Sequence, residues 1–541
     1  MVKLYRFFSR FEQNFHLGRA TIIIAVLTLL SRIFGFMRDL LLAKNLGLSS
    51  QTDIYFSAFR VPDLIYNLLI LGTLSAAFIP VFTKYYLKDK NEAWKIANSV
   101  LNIAVVGVGA LSVVVFVLAK PLTKIIAPGF EGPEFDQTVA LTRILLLSPI
   151  IFTVSNVFSS TLLSFKKFIW VNTAPLLYNL GILMGILFLH PHFGLKGIAA
   201  GVIAGALMHA LIQLPQLIQL GWSWRPKWDW KNAGVQQIVK LFIPRVLGLD
   251  ISYVNLVIVT IIGSTLATGT IAAYNFANNI QAVPLGIFAI STALAVFPVL
   301  SEEYAKKELN SFINTFNRAF VRIVYLILPV SIMLLLLRAY IVRLLLGYGK
   351  CDWTCTITTF DTLGVLSLSL IAQSLIPLLS RAFYARQNTR IPVFIGLAAM
   401  LINAGLSYTL SFGLGILGVA LGFVVASMFQ LLFLIIYLHR GLQHDLRNQK
   451  IIRESDYYIV FNCSKILVSA LITGCVAYGL LYLFALIFDT HTIAGIFLQT
   501  GLSSIIAGLV YLLLTAWMGV PDAARIKTTL NRMASFFNVS A

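Results

Sequence analysis

Long apolar stretches separated by short polar loops dominate this chain. A helix that crosses a bilayer needs about 20 mostly apolar residues, and such stretches recur between residues 20 and 518. The pattern predicts fourteen membrane-spanning helices, at residues 20–43, 56–83, 96–119, 138–163, 169–190, 195–219, 235–262, 270–298, 318–346, 358–384, 391–412, 415–438, 462–487 and 494–518. We therefore expect an all-α integral membrane protein.

The first of these spans carries charges at bilayer depth. The uncharged run at residues 20–31 has only 12 residues, which is too short to cross. A crossing segment must extend to Lys44, and it then includes Arg32, Arg38 and Asp39. Arg32 falls near the middle of that segment. A charge there costs about 2.5–3.5 kcal/mol on insertion scales, and it usually marks a functional site.

Composition agrees with a membrane protein. The chain is 58% hydrophobic and 11% charged, with a mean hydropathy of +0.86, whereas soluble domains are about 25% charged. The net charge of +20 is also found in nucleic-acid-binding proteins, but in a membrane protein an excess of Lys and Arg marks the cytoplasmic loops. With the N-terminus inside, the cytoplasmic loops hold several times as many Lys and Arg residues as the outer loops. We therefore expect both termini in the cytoplasm and no nucleic-acid partner.

Two polar segments add detail. Residues 1–19 place phenylalanines at helical spacing among basic residues and predict an amphipathic helix on the cytoplasmic surface. Residues 20–30 are not followed by a small-residue cleavage site, so this segment does not read as a signal peptide. Cys351 and Cys355 share one short loop and either form a disulfide or remain two thiols. The four cysteines lack zinc-site spacing.

The second half of the chain repeats the first. FGLKGIAAGVIAGALMHALIQL from Phe193 resembles FGLGILGVALGFVVASMFQLLFLI from Phe412, and IPVFTKYYLKDKN from Ile79 resembles FPVLSEEYAKKELN from Phe297. Matching positions lie about 220 residues apart, which corresponds to six predicted spans. An even number of spans keeps both halves in one orientation. We therefore expect two six-helix lobes related by a pseudo-twofold axis, with a transport site between them near mid-membrane.

The predicted organisation follows from the spans and the repeat. It comprises the amphipathic segment 1–19, an N-lobe at 20–219, a C-lobe at 220–438, a cytoplasmic linker at 439–461, two additional helices at 462–518 and a cytoplasmic tail at 519–541. The small-xxx-small pairs Gly197/Gly201 and Gly418/Gly422 are expected to pack helices together. Prolines in spans 2 and 8 predict bends in those helices.

Polar side chains recur in spans 1, 2, 7 and 8, which are repeat partners. They are Ser31, Arg32, Arg38 and Asp39 at the first span, Asp53, Arg60 and Asn67 at the second, Arg245, Asp250 and Asn255 at the seventh, and Asn275, Asn278 and Asn279 at the eighth. Several are spaced by seven residues, which keeps them on one helix face. Polar residues at equivalent positions in both halves predict one cavity. The N-terminal half of the chain would contribute basic side chains, and the C-terminal half would contribute amides.

An alternative is that these arginines and aspartates only tie helices together. That interpretation suits Asp53, which lies near a span end, and Arg38 with Asp39 fits either interpretation. Counting Arg32, Arg38 and Arg60 against Asp39 and Asp53 leaves an excess of positive charge. Water or an anionic ligand must match that excess, so we interpret Arg32 and Arg60 as functional.

The residues around these charges form an ordered motif. SRIFGFMRDLLLAKNLGLSSQTDIYFSAFRVPDLIYNLL, followed by GTLSAAFIPVF and by APGF at 127–130, closely resembles the MurJ (MviN) family of lipid II flippases. This family belongs to the multidrug/oligosaccharidyl-lipid/polysaccharide exporter superfamily. The motif S-R-x-x-G-x-x-R-D followed by T-D is specific to the family, and the resemblance extends over nearly the whole chain. It implies a fold of fourteen helices, with two six-helix lobes and two further helices.

The resemblance also implies a function. Members of the family translocate lipid II, an undecaprenyl-diphosphate-linked disaccharide-pentapeptide, from the inner to the outer leaflet of the bacterial cytoplasmic membrane for peptidoglycan synthesis. Ser31, Arg32, Arg38 and Asp53 match positions that the family needs for activity. A cationic central cavity would bind the diphosphate, and the last two helices would form a groove for the lipid tail.

Three positions in two spans depart from the family pattern. Where members carry a further arginine in span 2, this chain has Tyr66, and Leu71 replaces a nearby glutamate. The arginine that the family needs in span 8 aligns with Asn279. We expect Arg60 and Arg245 to supply charge instead.

The expected mechanism is alternating access by a monomer, with lipid II and membrane lipids as partners. The sequence has no nucleotide-binding motif, so energy is expected from the membrane potential or an ion gradient. The resemblance points to a sodium or proton site in the C-lobe, for which Asp250 and Asn403 are candidates. No catalytic residue, metal or other cofactor is predicted.

Rival functions remain open on the same fold: a flippase for another polyprenyl-linked glycan, or a cation-coupled multidrug exporter. A rival of a different class is a membrane glycosyltransferase that uses the same lipid donor. That enzyme would need acidic catalytic residues at the outer face and larger outer loops than the longest one here, at 120–137.

Overall fold

The described part of the chain is helical. The computed structural model describes residues 17–69, 73–246, 251–445, 449–490 and 492–523, and within those ranges it contains helices and no strand. The all-α prediction is confirmed for this part of the chain. The predicted amphipathic segment lies outside the described residues except for its last three, and so does the tail beyond residue 523.

The chain divides into two compact units, the first ending at Ala272 and the second beginning at Ala273. The first unit contains a π-helix, π1 (Gly185–Leu189), between α8 and α9. Its α-helices are α1 (Leu17–Leu46), α2 (Ser50–Leu69), α3 (Thr73–Lys88), α4 (Lys90–Val117), α5 (Ala119–Ile126), α6 (Gly132–Leu145), α7 (Leu147–Ser164), α8 (Phe168–Met184), α9 (His190–Phe193), α10 (Leu195–Leu211), α11 (Leu214–Gln219), α12 (Ala233–Val246) and α13 (Ile251–Gly263).

The second unit contains longer helices. Its first helix, α14 (Thr270–Pro284), begins in the last residues of the first unit and continues into a second π-helix, π2 (Leu285–Ile290). The remaining helices are α15 (Ser291–Ala305), α16 (Leu309–Leu346), α17 (Trp353–Ala385), α18 (Arg390–Leu414), α19 (Ile416–Asp445), α20 (Gln449–Ala485) and α21 (Ile493–Trp517). π2 follows Pro284 directly, so the regular helix ends where this proline predicted a bend.

Eleven helical stretches among the described residues are long and apolar enough to cross a membrane. They coincide with eleven of the fourteen predicted spans, which makes this a multi-pass membrane protein. The other three predictions, 20–43, 56–83 and 235–262, fall on α1, on α2 with α3, and on α12 with α13. Residues 70–72 and 247–250 lie outside the described ranges. The count of fourteen therefore stays a prediction.

The first unit includes helices that the repeat assigns to the C-lobe. α12 packs against α3 and α4, and α13 packs against α2 and α5. Val235 and Ile238 of α12 are buried in one apolar cluster with Phe78 and Phe82 of α3. The sequence repeat and the packing thus divide the chain at different places, and the lobe boundary at 219/220 stays a prediction.

Glycines bring neighbouring helices into backbone contact. A Cβ atom at Gly201 of α10 would lie 2.5 Å from the Cα of Gly185, and one at Gly197 would lie 2.4 Å from the carbonyl oxygen of Leu189. In the second unit, a Cβ at Gly418 would lie 2.3 Å from the carbonyl oxygen of Leu410. These distances are shorter than real contacts, so the structure confirms the packing role predicted for both glycine pairs.

A disulfide joins the loop before α17 to the first turn of that helix. Cys351 and Cys355 are bonded to each other, which decides between the two alternatives that the sequence left open. Asp352 lies between them and caps α17, since its Oδ1 accepts a hydrogen bond from the Cys355 amide at 2.8 Å.

Replacing Gly201 with alanine should destabilise the protein. The atoms that the new methyl group would meet belong to the α8 backbone and to π1, which cannot rotate away; overpacking of this kind costs about 1–3 kcal/mol. Gly107→Ala on α4 is the matched control, since a Cβ there meets nothing within 4 Å. Thermal unfolding in detergent should show a lower Tm for G201A only, and equal Tm values would contradict the packing argument.

Candidate functional site

The first helix presents the arginine that the sequence placed at mid-membrane. Arg32 is exposed on α1, and Ser31 is half-exposed beside it. α1 packs against α8, where the side-chain amide of Asn179 donates to the carbonyl oxygen of Ser31 at 3.4 Å. This contact anchors the α1 backbone one residue before Arg32, so the arginine extends from a supported helix.

Arg38 and Asp39 form an ion pair. The Nε and Nη2 atoms of Arg38 both donate to Oδ1 of Asp39, at 3.0 and 2.9 Å. Asp39 is nearly buried, whereas Arg38 keeps 26% of its side chain exposed. Arg38 also interacts electrostatically with Tyr55 and Tyr178. The pair therefore exists, as one interpretation of the sequence proposed, and it still leaves part of the guanidinium accessible to a ligand.

Arg60 joins α2 to α13 inside the protein. Its side chain is 4% exposed, and its Nε atom donates to Oγ1 of Thr260 at 2.7 Å. The hydroxyl of Tyr253 donates to the backbone oxygen of Arg60 at 2.6 Å. This burial supports a role in holding two helices together. The sequence predicted that Arg60 binds a ligand. That role stays a prediction, and the burial of Arg60 does not favour it.

Asp53 caps the start of another helix. It is 3% exposed, and its carboxylate accepts hydrogen bonds from the amide of Gly269 at 2.6 Å and the amide of Ala272 at 2.8 Å. Those amides open α14, whose first N–H groups have no partner within the helix. The helix-tie interpretation therefore describes Asp53 well, and contact with a ligand stays a prediction.

An aspartate missed in the sequence corrects the charge count. Asp63 on α2 interacts electrostatically with Arg60 and Arg38, and its backbone oxygen accepts a hydrogen bond from the Asn67 amide at 2.8 Å. Residues 20–43 and 50–69 thus hold three aspartates, including Asp53, against three arginines. The predicted excess of positive charge there was wrong. The three-residue step from Arg60 to Asp63 was the available signal, because such residues face each other on a helix.

Tyr66, which stands where the resemblance expects an arginine, belongs to an aromatic cluster. Its ring lies 5.0 Å from that of Phe152 on α7. Phe152 in turn contacts Tyr178 on α8 at 5.1 Å and His209 on α10 at 5.4 Å. An aromatic contact surface thus replaces a charge at this position. Sequence reasoning noted the substitution but not the partners, which come from three other helices.

The remaining predicted site residues belong to the second unit or lie outside the described residues. The Arg245 side chain and all of Asp250 lie outside them. Asn278 and Asn279 are half-exposed on α14 and belong to the second unit. Asn403, also in that unit, is 1% exposed, and its Oδ1 accepts from the Ser407 hydroxyl at 2.9 Å. No group of three or more metal-ligating side chains occurs within the described ranges.

These features define a class of protein. A multi-pass membrane protein whose first helix carries an exposed arginine at predicted bilayer depth fits the membrane transporters, because intramembrane charges mark substrate pathways. The family model described as Lipid II flippase MurJ matches residues 42–498. The chain therefore belongs to the lipid II flippase MurJ family, a family of transporters rather than enzymes, which confirms the resemblance identified in the sequence.

Individual relatives agree with this assignment. A probable lipid II flippase MurJ of Vibrio cholerae is 28% identical over 445 residues, covering 79% of this chain and 84% of its own. One from Haemophilus influenzae is 30% identical over 404 residues, covering 70% and 78%. A solved structure titled lipid II flippase MurJ, inward closed conformation, has a TM-score of 0.74 at 23% identity and covers 92% of this chain and 98% of its own. An inward-facing multidrug MATE transporter follows, with a TM-score of 0.64 at 15% identity and coverage of 78% and 98%. These structures share the fold.

Removing the Asp53 carboxylate should destabilise the protein. Asp53→Ala leaves the Gly269 and Ala272 amides without their acceptor, and losing a helix cap costs about 0.5–2 kcal/mol. Asp53→Asn keeps one acceptor oxygen and should fall between D53A and the parent in Tm. Asp136→Ala, at an exposed position on α6, is the control and should leave Tm unchanged. If D53A unfolds at the parent temperature, Asp53 is not a structural cap.

Proposed function

We propose that this protein is a lipid II flippase of the bacterial inner membrane, which moves the lipid-linked peptidoglycan precursor to the outer leaflet by alternating access. The observation that carries the proposal is the match to the lipid II flippase family over residues 42–498, which includes the end of α1, all of α2 and the following helices as far as the start of α21. The arginine motif of α1 lies just before that match. The exposed Arg32 adds the chemistry that such a substrate needs.

Two arginines of α1 bind the diphosphate in this proposal. A guanidinium forms paired, charge-assisted hydrogen bonds to phosphate oxygens and keeps its charge at any physiological pH. Arg32 is exposed, and Arg38 is partly exposed next to Asp39. The ion pair holds the Arg38 guanidinium in place before a ligand arrives, so less side-chain freedom is lost on binding.

Arg60 and Asp53 have a supporting role. Both are buried, and their side chains bond to Thr260 and to the Gly269 and Ala272 amides. These bonds attach α2 to α13 and to the start of α14 within the first unit. Helices connected in this way are expected to move together when the protein changes conformation.

The energy source is the membrane potential, an ion gradient or both. A cell is negative inside, so a negatively charged head that moves outward gains about 2.3 kcal/mol per unit charge for each 100 mV. A sodium ion or proton moving inward would add to this, and Asp250 and Asn403 remain the candidate residues for that coupling. The buried Asn403–Ser407 hydrogen bond equally suits helix packing.

The finer architecture is part of the proposal. Fourteen spans in two six-helix lobes, cytoplasmic termini and a monomeric protein follow from the sequence pattern and the family. The two last helices, α20 and α21, pack on each other and expose large apolar side chains such as Leu471, Phe497 and Leu513. An apolar exposed surface of this kind suits a polyprenyl tail.

Arg32 tests the proposal directly. Arg32→Ala should fail to rescue a bacterium depleted of its own lipid II flippase, and Arg32→Lys should rescue only in part. Losing a hydrogen bond to a charged group costs about 1.5–3 kcal/mol, so purified R32A should bind lipid II about ten- to hundredfold more weakly. Arg225→Ala, in an exposed loop, is the control and should behave as the parent.

Each contrary result has a distinct meaning. Full rescue by R32A would remove Arg32 from the substrate site. If the unmutated protein reaches the membrane yet does not rescue, the substrate is another polyprenyl-linked glycan. Binding of drug cations in preference to lipid II would indicate a multidrug exporter.

A further inference from the structure

A polar cavity lies at one end of the contact between α16 and α20, within the second unit. Its volume is about 380 Å³, which falls in the range of about 300–1,000 Å³ for small-ligand pockets. The polar residues that line it include Asn310, Asn314, Asn317, Arg318, Glu454 and Ser455. A cavity lined by amides and charges is unusual beside two helices that are otherwise apolar.

The lining residues follow helical spacing on both sides. On α16 the polar lining residues are 310, 314, 317 and 318, and this spacing places them on one face of the helix. On α20 the lining residues 451, 454, 455 and 458 share one face for the same reason. The Asn317 amide donates to the Ser455 hydroxyl at 2.8 Å and joins the two helices at the cavity. Further along, a Cβ at Gly474 of α20 would lie 2.7 Å from Cγ2 of Ile332. The helices thus come into close contact beyond the cavity.

Four of the polar side chains at the cavity are exposed and have no protein partner among the described residues. Within the described part of the chain, the side chains of Asn310, Asn314, Arg318 and Glu454 make no hydrogen bond or ion pair. Arg322, one turn further along α16, does pair with Asp522 at 3.2 Å. Arg318 and Glu454 have opposite charges and line the same space without pairing, so the cavity offers a ligand one cation and one anion.

The cavity is placed where lipid headgroups lie. The predicted spans begin at residues 318 and 462, and the lining residues precede or open them on the predicted cytoplasmic side. Arg318 opens its span, and Asn314 lies about 6 Å before it along the helix, within a headgroup layer of roughly 5–8 Å on each side of the hydrocarbon core. Asn310 and Glu454 lie eight residues before their spans, about 12 Å, on the aqueous side of that layer. Lys465 lies over the ring of Phe461 at 4.1 Å, and Tyr457 is 68% exposed, as expected for residues at a membrane interface.

We propose that this cavity binds the headgroup of a cytoplasmic-leaflet phospholipid that carries both a phosphate and a primary ammonium, as ethanolamine phospholipids do. Arg318 and the Asn310 and Asn314 amides donate to the phosphate. Glu454 accepts from the ammonium, which has three N–H donors. A quaternary choline group has no N–H donor for Glu454, and a glycerol headgroup has no positive charge to pair with it. This site is separate from the proposed lipid II site and does not depend on it.

Binding of three short-chain phospholipids to the purified full-length protein tests the proposal. Native mass spectrometry in detergent should show the ethanolamine lipid bound in preference to the choline and glycerol lipids. Arg318→Gln should weaken binding of all three lipids by about tenfold or more, because each carries a phosphate. Glu454→Gln should weaken only the ethanolamine lipid and remove the preference. Asn314→Ala, at an exposed position, should weaken all three lipids by a smaller factor.

Two control variants remove one positive or one negative charge, as R318Q and E454Q do, but at residues that do not line the cavity. Arg440→Gln and Asp229→Asn alter exposed residues of this kind, and both variants should bind lipids as the parent does. The Tm of each variant without lipid establishes that it is folded. Equal binding of the three lipids by the parent, unchanged affinity in R318Q, or an unchanged preference in E454Q would each overturn the proposal. Rescue of flippase depletion is a separate readout, so its outcome does not affect this test.

Discussion

The cost of removing charge from water determines how the first helices of this protein are arranged. A buried arginine or aspartate must be paired or hydrogen-bonded. Arg60 is buried against Thr260, and Asp53 is buried against the first amides of α14. Arg38 is paired with Asp39 but partly accessible, and Arg32 is exposed. The charged residues thus form a series from structural to accessible, and only its accessible end suits a ligand.

The sequence predicted those features that depend on local pattern. Hydropathy located eleven spans that coincide with long apolar helices, and spacing identified the glycines at helix contacts. It did not predict which charges are buried, because the partners of Arg60 and Asp53 lie about 200 residues away in the chain. Asp63 was missed although it is only three residues from Arg60. The seven-residue spacing of Asp53, Arg60 and Asn67 shows which residues share a helix face, whereas the three-residue step to Asp63 brings two side chains into direct proximity.

The repeat and the packing describe different levels of organisation. Sequence similarity relates residues 193 and 412, whereas compactness divides the chain at Ala272 and Ala273. Val235 and Ile238 explain part of the difference, since their burial with Phe78 and Phe82 attaches α12 to the first unit. A duplicated sequence specifies which helices correspond, but the side chains that each helix buries decide which helices pack together. No sequence period reports that second property.

The bond between Cys351 and Cys355 has a consequence for topology. Such bonds persist in the bacterial periplasm and are rare in the reducing cytosol. The turn that contains them lies between two predicted spans, 318–346 and 358–384, so its redox state reports which face of the membrane it occupies. The orientation predicted from basic residues places this turn outside the cytoplasm, and thiol chemistry tests that prediction independently of loop charge. Two cysteines four residues apart thus offer an internal test of which side of the membrane the turn occupies.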